Sequence, residues 1–419
     1  MGQSPSGETH GAERLAGVAW FQPFSALHNI ESQATMNETL KPNIPVLDGE
    51  EILAGIRRWV ELESPSHDAA AVNRVVDMAA SDLTRIGAKL KRTPGRDGFG
   101  DVLEAHSPWG DASEKGILIL GHLDTVHPIG ALATTHKFRR EGDKVFGPGI
   151  YDMKAGSFMG FYAMQHFVRQ GRTTHLPVRI MYIPEEEVGS PTSRALIEAA
   201  AKNAKYVLVL EPAREGNKCV TARKGVGRFV MTITGKAAHA GARHEDGRSA
   251  IKEAARQILA IEGLTDYAQG ITTNVGLITG GSGVNVVPAS CVMEIDLRVP
   301  TAELAESVTA HILGLKSNDP DCIVEVTGGM NRPPYGKNEG IAKLFEHAKG
   351  LAKEIGFDLQ DVKLTGGGSD GNFTAAMGIP TLDGLGADGR GPHALDEQIY
   401  FSSLVPHAQL LVRLLETLR

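Results

Sequence analysis

Apolar positions along the chain follow two spacings, and their alternation outlines a fold. A continuous apolar run at 117–120 reads as a buried parallel strand, and the largely apolar stretches 178–183 and 206–210 read as further strands. Between them lie stripes at helical spacing. Ile52, Leu53, Ile56, Trp59 and Val60 form one, introduced by the capping-type residue Asp48. Further helical patterns cover 72–83, 155–167 and 190–201, the last with Ser190 and Pro191 at its start. Strands alternating with helices at this spacing predict an α/β fold, a mostly parallel sheet flanked by helices.

The rhythm changes after Lys224. An alternating strand at 227–234 is followed by a helix at 249–262, strands near 271–279 and 290–298, a helix at 301–315 and a strand at 322–327. This β-α-β-β-α-β order predicts an inserted ferredoxin-like α/β unit. The α/β alternation resumes with a helix at 339–355, a Gly-rich turn at 366–368, a short strand through Thr381 and an amphipathic helix at 402–418. The expected organisation is an extension at 1–45, a larger domain in two parts, 46–223 and 333–419, and an inserted lid and dimerisation domain at 224–332. The extension mixes Gly, Ser, Thr and single aromatics without period and is expected to be flexible, with Met36 a second candidate start.

Composition narrows the function. At 419 residues, 42% hydrophobic and 22% charged, the chain is long enough for two cores. A net charge of −7 without any basic block excludes a nucleic-acid footprint. Cys219, Cys291 and Cys322 are odd in number and show no C-x-x-C pattern, which argues against a disulfide framework or zinc knuckle. No run reaches a membrane span, no secretory signal is read at the start, and the myristoylation-like pattern at 1–6 is short and contains Pro5. A cytoplasmic protein with no membrane partner is expected.

Chemistry concentrates where strands end. G-H-L-D-T-V delivers His122 and Asp124, two apart and so on one face. Asp152 stands in G-P-G-I-Y-D-M-K-A-G, Glu185 to Glu187 follow the 178–183 strand, Glu211 lies in V-L-E-P, and His393 in G-P-H-A. The carboxyl ends of strands are where open α/β sheets place their sites. Each residue alone reads as a cap or surface group, and the three glutamates alone as a solvated run; together they would repel unless a cation neutralised them. Carboxylate and imidazole without thiolate suit zinc, manganese or cobalt.

These strings, with E-E-E-x-G-S and G-K-A-A-H-A-G, resemble the metallopeptidase family of glutamate carboxypeptidase, aminoacylase, acetylornithine deacetylase and succinyl-diaminopimelate desuccinylase. The resemblance spans about residues 45–419 and is nearest to glutamate carboxypeptidase. It implies a di-zinc exopeptidase-like domain with two divalent ions, Zn2+ or alternatively Co2+ or Mn2+. Asp152 would bridge them, His122 and Glu211 would complete one, and Glu187 and His393 the other. Asp124 would brace His122, Glu186 would serve as general base, and a cis peptide would follow Asp152. His239 would reach a partner subunit's oxyanion, making a homodimer through the lid. Asn285, Arg298, Arg332 and Gly367 would contact substrate, although Arg298 has a competing partner in Asp296. Pro184-Glu185 departs from the family's pattern.

The activity implied is hydrolysis of an amide to release a C-terminal amino acid, from a small or peptide-like substrate with a free carboxylate. The alternative is an N-acyl-amino-acid deacylase of the acetylornithine or succinyl-diaminopimelate type. A metal-free binding protein on the same fold would require a missing ligand, and every ligand position is filled.

Overall fold

The computed structural model describes residues 44–419, so the expected extension and the 1–6 pattern lie outside the described residues apart from 44 and 45. The six-stranded sheet runs Lys89–Thr93, Val102–His106, Val178–Ile183, Gly116–His122, Ala204–Val209, Thr381–Leu382. The last four pair in parallel, and an antiparallel hairpin formed by the first two closes one side. That hairpin is absent from the sequence reading. Its outer strand, K-L-K-R-T, is almost wholly exposed and therefore carries no buried face to give alternation.

Alternation along Gly116–His122 explains the two faces. Ile117 and Ile119 join a core with helices Gly49–Val60, Ala69–Arg85, Ala155–Arg169, Glu339–Ile355 and Phe401–Thr417. Leu118 and Leu120 pack with Arg194–Ala201 and with Phe373 of Gly371–Ala376. Asp48 caps the first helix, accepting from the Glu50 N–H at 2.9 Å. Gly156 has a spatial reason: a Cβ there would stand 2.0 Å from the Leu210 carbonyl oxygen. Only glycine lets the helix Ala155–Arg169 lie this close to the strand end that delivers Glu211.

The helix expected from Ser190 begins at Arg194. Residues before it are held by Glu185, a fully buried carboxylate that accepts from the Thr192 and Ser193 N–H groups at 3.0 and 2.8 Å and from both hydroxyls. Glu185 is thus committed to the start of that helix, which gives the Pro184-Glu185 departure a structural role.

The inserted segment forms its own antiparallel sheet, ordered Thr272–Gly280, Ser290–Val299, Gly225–Thr234, Ile323–Arg332. In chain order this is 2-3-1-4, the arrangement of two split β-α-β units. Helices Ala250–Glu262 and Ala302–Leu313 share with it a separate core of Phe229, Met231, Ile233, Met293 and Ile295. A further small sheet joins Arg139–Glu141, Lys144–Phe146, Gln398–Tyr400 and Gly389–Arg390, and its last two strands bracket His393. Among the described residues no helix is long and apolar enough to cross a membrane.

Candidate metal centre

Three neighbouring parallel strands deliver the cluster at their carboxyl ends. His122 ends Gly116–His122, Glu186 and Glu187 follow Val178–Ile183, and Glu211 follows Ala204–Val209. Asp152 comes from the irregular turn before Ala155–Arg169, and its peptide bond to Met153 is cis, as the resemblance implied. His393 enters from a loop with φ +65°.

Asp152 lies between the two imidazoles. His122 Nε2 stands 3.1 Å from its Oδ1, and His393 Nε2 stands 3.5 Å from its Oδ2 and 3.0 Å from Glu187 Oε2. Donor atoms of His122, Glu186 and Glu211 lie within 4.8 Å of one another, as do those of His122, Asp152 and Glu187. Asp124 braces this edge. Its carboxylate approaches His122 Nδ1 at 3.3 Å and accepts from Ser66 Oγ at 2.6 Å and from the Glu186 and Glu187 N–H groups at 3.1 and 3.2 Å. Asp124 therefore orients the imidazole through its backbone carbonyl, 3.0 Å from Nδ1, as well as its carboxylate, and the carboxylate ties the strand to the neighbouring one.

The electrostatics show a surplus of negative charge. Burial, with Asp152 adding to it, pushes the Glu187 carboxyl up to about 8. Burial and the charges of Asp152 and Glu186 hold Glu211 well above the usual range. Burial also opposes charge on His122, yet hydrogen bonds to Asp124 and Asp152 outweigh it and raise the imidazole. Asp152 and Glu187 raise His393 to about 10. For Asp152, hydrogen bonds from both imidazoles overcome burial and keep the carboxyl below its ordinary range. The cluster draws positive charge to itself as protons, and a divalent ion supplies the same charge with oxygen and nitrogen donors it favours. Glu187 Oε1 is buried without a hydrogen-bond partner among the described residues, a lone pair available to an ion. The residues fit a metal.

The remaining expected site residues fall in three places. Arg332, at the end of the inserted sheet, is buried at the cluster itself: Nη2 donates to Glu186 Oε1 at 2.6 Å and to Asp370 Oδ1 at 3.0 Å. Gly367 offers its carbonyl to Arg223, which is paired with buried Asp383 at 2.7 Å. Arg298 makes a bidentate pair with Asp296 at 2.8 and 2.9 Å and reaches the Gly366 carbonyl at 3.1 Å. His239 and Asn285 sit together and exposed, joined by the short pairing of Ala238–His239 with Val286–Val287 and by the Ala240 N–H to the Asn285 carbonyl. Among the described residues no hydrogen bond links His239, Asn285 or Arg298 to the metal-ligand cluster.

Sequence reading missed Ser66, Asp370 and Glu397, the last of which accepts from the Asp152 N–H at 2.9 Å. Asp370 follows the 366–368 glycines and Glu397 follows His393 by four positions, so both lay beside a motif already singled out.

Fold and site together define a metal-dependent hydrolase. The chain belongs to peptidase family M20/M25/M40, whose model matches residues 118–417. It is 30% identical over 359 residues to carboxypeptidase G2 of Pseudomonas sp. strain RS-16, covering 85% of this chain and 86% of that protein. The fold is shared with a tripeptidase from Staphylococcus aureus, TM-score 0.72 at 20% identity over 89% of this chain and 99% of that one. It is also shared with an M20 family metallo-carboxypeptidase from Sulfolobus solfataricus, TM-score 0.66 at 17% identity over 89% and 100%.

Proposed function

We propose that this hydrolase releases a C-terminal amino acid from an amide, in the manner of a glutamate carboxypeptidase, with two divalent ions, preferentially zinc. The observation that carries the reading is Asp152, whose two oxygens face different imidazoles at 3.1 and 3.5 Å. Asp152 would be shared between two ions, with His122 and Glu211 holding one and Glu187 and His393 the other. Its carboxypeptidase relative, matched across most of both chains, supports the choice of bond.

When bound, the ions polarise the scissile carbonyl and acidify the attacking water. Glu186 would take a proton from the attacking water and pass it to the departing amine. Arg332 orients it by holding one carboxylate oxygen, while Asp124 fixes the backbone of the same turn. His239 is prepared to donate: its Nδ1 accepts from the Gly241 and Ala242 N–H groups at 3.1 Å each, which leaves the proton of the neutral ring on Nε2. Acting from the partner of a homodimer, that N–H would stabilise the tetrahedral oxyanion.

The test is hydrolysis of a panel of N-acyl amino acids and dipeptides by zinc- or cobalt-loaded protein, beside Glu186→Ala. Release of free glutamate or a similar C-terminal amino acid, lost in the variant with metal retained, is expected. Turnover confined to N-acetyl or N-succinyl diamines would reject the carboxypeptidase reading. A monomeric variant with full activity would remove His239 from the mechanism.

A further inference from the structure

Beside the cluster lies a second one of similar composition, His127, His136 and Glu397, all buried and with donor atoms within 4.8 Å of one another. Its hydrogen bonds give it a different task. Glu397 Oε1 accepts from the Tyr151 and Asp152 N–H groups at 2.8 and 2.9 Å. Oε2 accepts from the Gly149 N–H at 2.9 Å and from His127 Nε2 at 2.7 Å. His136 Nε2 donates to the Glu397 backbone carbonyl at 3.1 Å. Four N–H donors on two oxygens satisfy this carboxylate, so binding an ion would require breaking those bonds.

The same bonds join three segments that carry ligands. His127 follows His122 on one loop, Gly149 to Asp152 form the turn of the shared carboxylate, and Glu397 lies four residues after His393. Resting on the metal-centre reading above, we propose that Glu397 is a positioning residue. With His127 it clamps the Asp152 turn against the His122 and His393 loops and so sets the separation of the ligands. The Asp152 backbone is held at its own N–H, where a small rotation would turn the carboxylate away from one imidazole.

Glu397→Gln keeps the shape but replaces one oxygen by an NH2 group. Whichever way the amide turns, at least one backbone N–H loses its acceptor. The expected result is zinc affinity weakened about 10–100-fold, measured by competition with a chromophoric chelator, and altered visible bands in the cobalt-loaded protein. Turnover number should fall while KM stays within about threefold of the native value. Cooperative melting of the chelated protein separates this from unfolding. Should Glu397→Gln not fold, His127→Leu, which removes a donor, and His127→Gln, which can keep one, decide the matter. Affinity about tenfold weaker in the first and largely restored in the second is expected. Native zinc affinity and cobalt bands in Glu397→Gln, or equal affinity in the two His127 variants, would overturn the clamp. A native chain that takes up no zinc would overturn the metal centre itself, and this inference with it.

Discussion

Two groups of buried histidines and carboxylates lie side by side in this protein, and their difference is in the donors around them. Around Asp152, Glu187 and Glu211 the positive groups within hydrogen-bonding reach are two imidazoles, and among the described residues one Glu187 oxygen has no partner. Around Glu397 both carboxylate oxygens meet N–H donors, and the atom without a partner among the described residues is an imidazole nitrogen, His136 Nδ1. Residue types and spacing describe both groups equally well. What separates a metal centre from a structural clamp is whether the carboxylates already have their donors, because a buried anion must be neutralised by something.

The strongest way to break this comparison is to remove the carboxylate placed between the imidazoles. Asp152→Asn should abolish tight metal binding and reduce turnover by more than about 10³-fold, measured as metal content and amide hydrolysis. Next, Glu186→Ala should lower turnover by about 10²–10⁴-fold while metal content is retained. Loss of metal in that variant would place Glu186 among the ligands instead.

A third consequence concerns pH. With Glu187 raised to about 8 and His393 to about 10, this hydrogen-bonded pair holds at least one proton at neutral pH in the metal-free chain. An ion must displace what the pair holds, so apparent affinity should rise with pH, by about tenfold per unit for each proton released. Calorimetry in buffers of different ionisation enthalpy counts those protons. Proton-neutral binding at pH 7 would contradict the surplus of negative charge inferred for the cluster.

His407 supplies the smallest effect and a useful control, since it is buried against Phe357 with Asn217 Oδ1 at 3.0 Å and, among the described residues, with no carboxylate in hydrogen-bonding contact. Burial lowers it to about 4. The unfolded chain takes up its proton near about 6.5, so the folded state binds fewer protons below that pH. The His407 contribution is complete above about 6.5 and is lost as pH falls toward about 4. His407→Gln should flatten the acid side of the stability curve by at most about 3 kcal/mol, read by denaturant unfolding of chelated protein.

Much of this was legible before the structure because the main strands are buried on both faces. The runs at 117–120 and 178–183, and the helices at 49–60 and 339–355, carry their periods in plain view. The cluster was legible because strand ends and motifs coincide. The hairpin at 89–106 was not, since its outer strand is exposed. Nor was the delayed helix start at Arg194, which depends on Glu185 reaching Thr192 and Ser193. The engagement of Arg332 with Glu186 and Asp370 joins residues 146 and 38 positions apart, a contact no local pattern encodes. The N–H donors around Glu397 were equally invisible, because backbone groups have no letter in the sequence.

The most direct test is therefore zinc stoichiometry by equilibrium dialysis on the native chain and on Asp152→Asn. The account predicts two tightly bound ions in the native chain and none held tightly in the variant. A tightly bound ion that survives Asp152→Asn but disappears with His127→Leu and His136→Leu would place metal at the Glu397 cluster and contradict the distinction between the two groups.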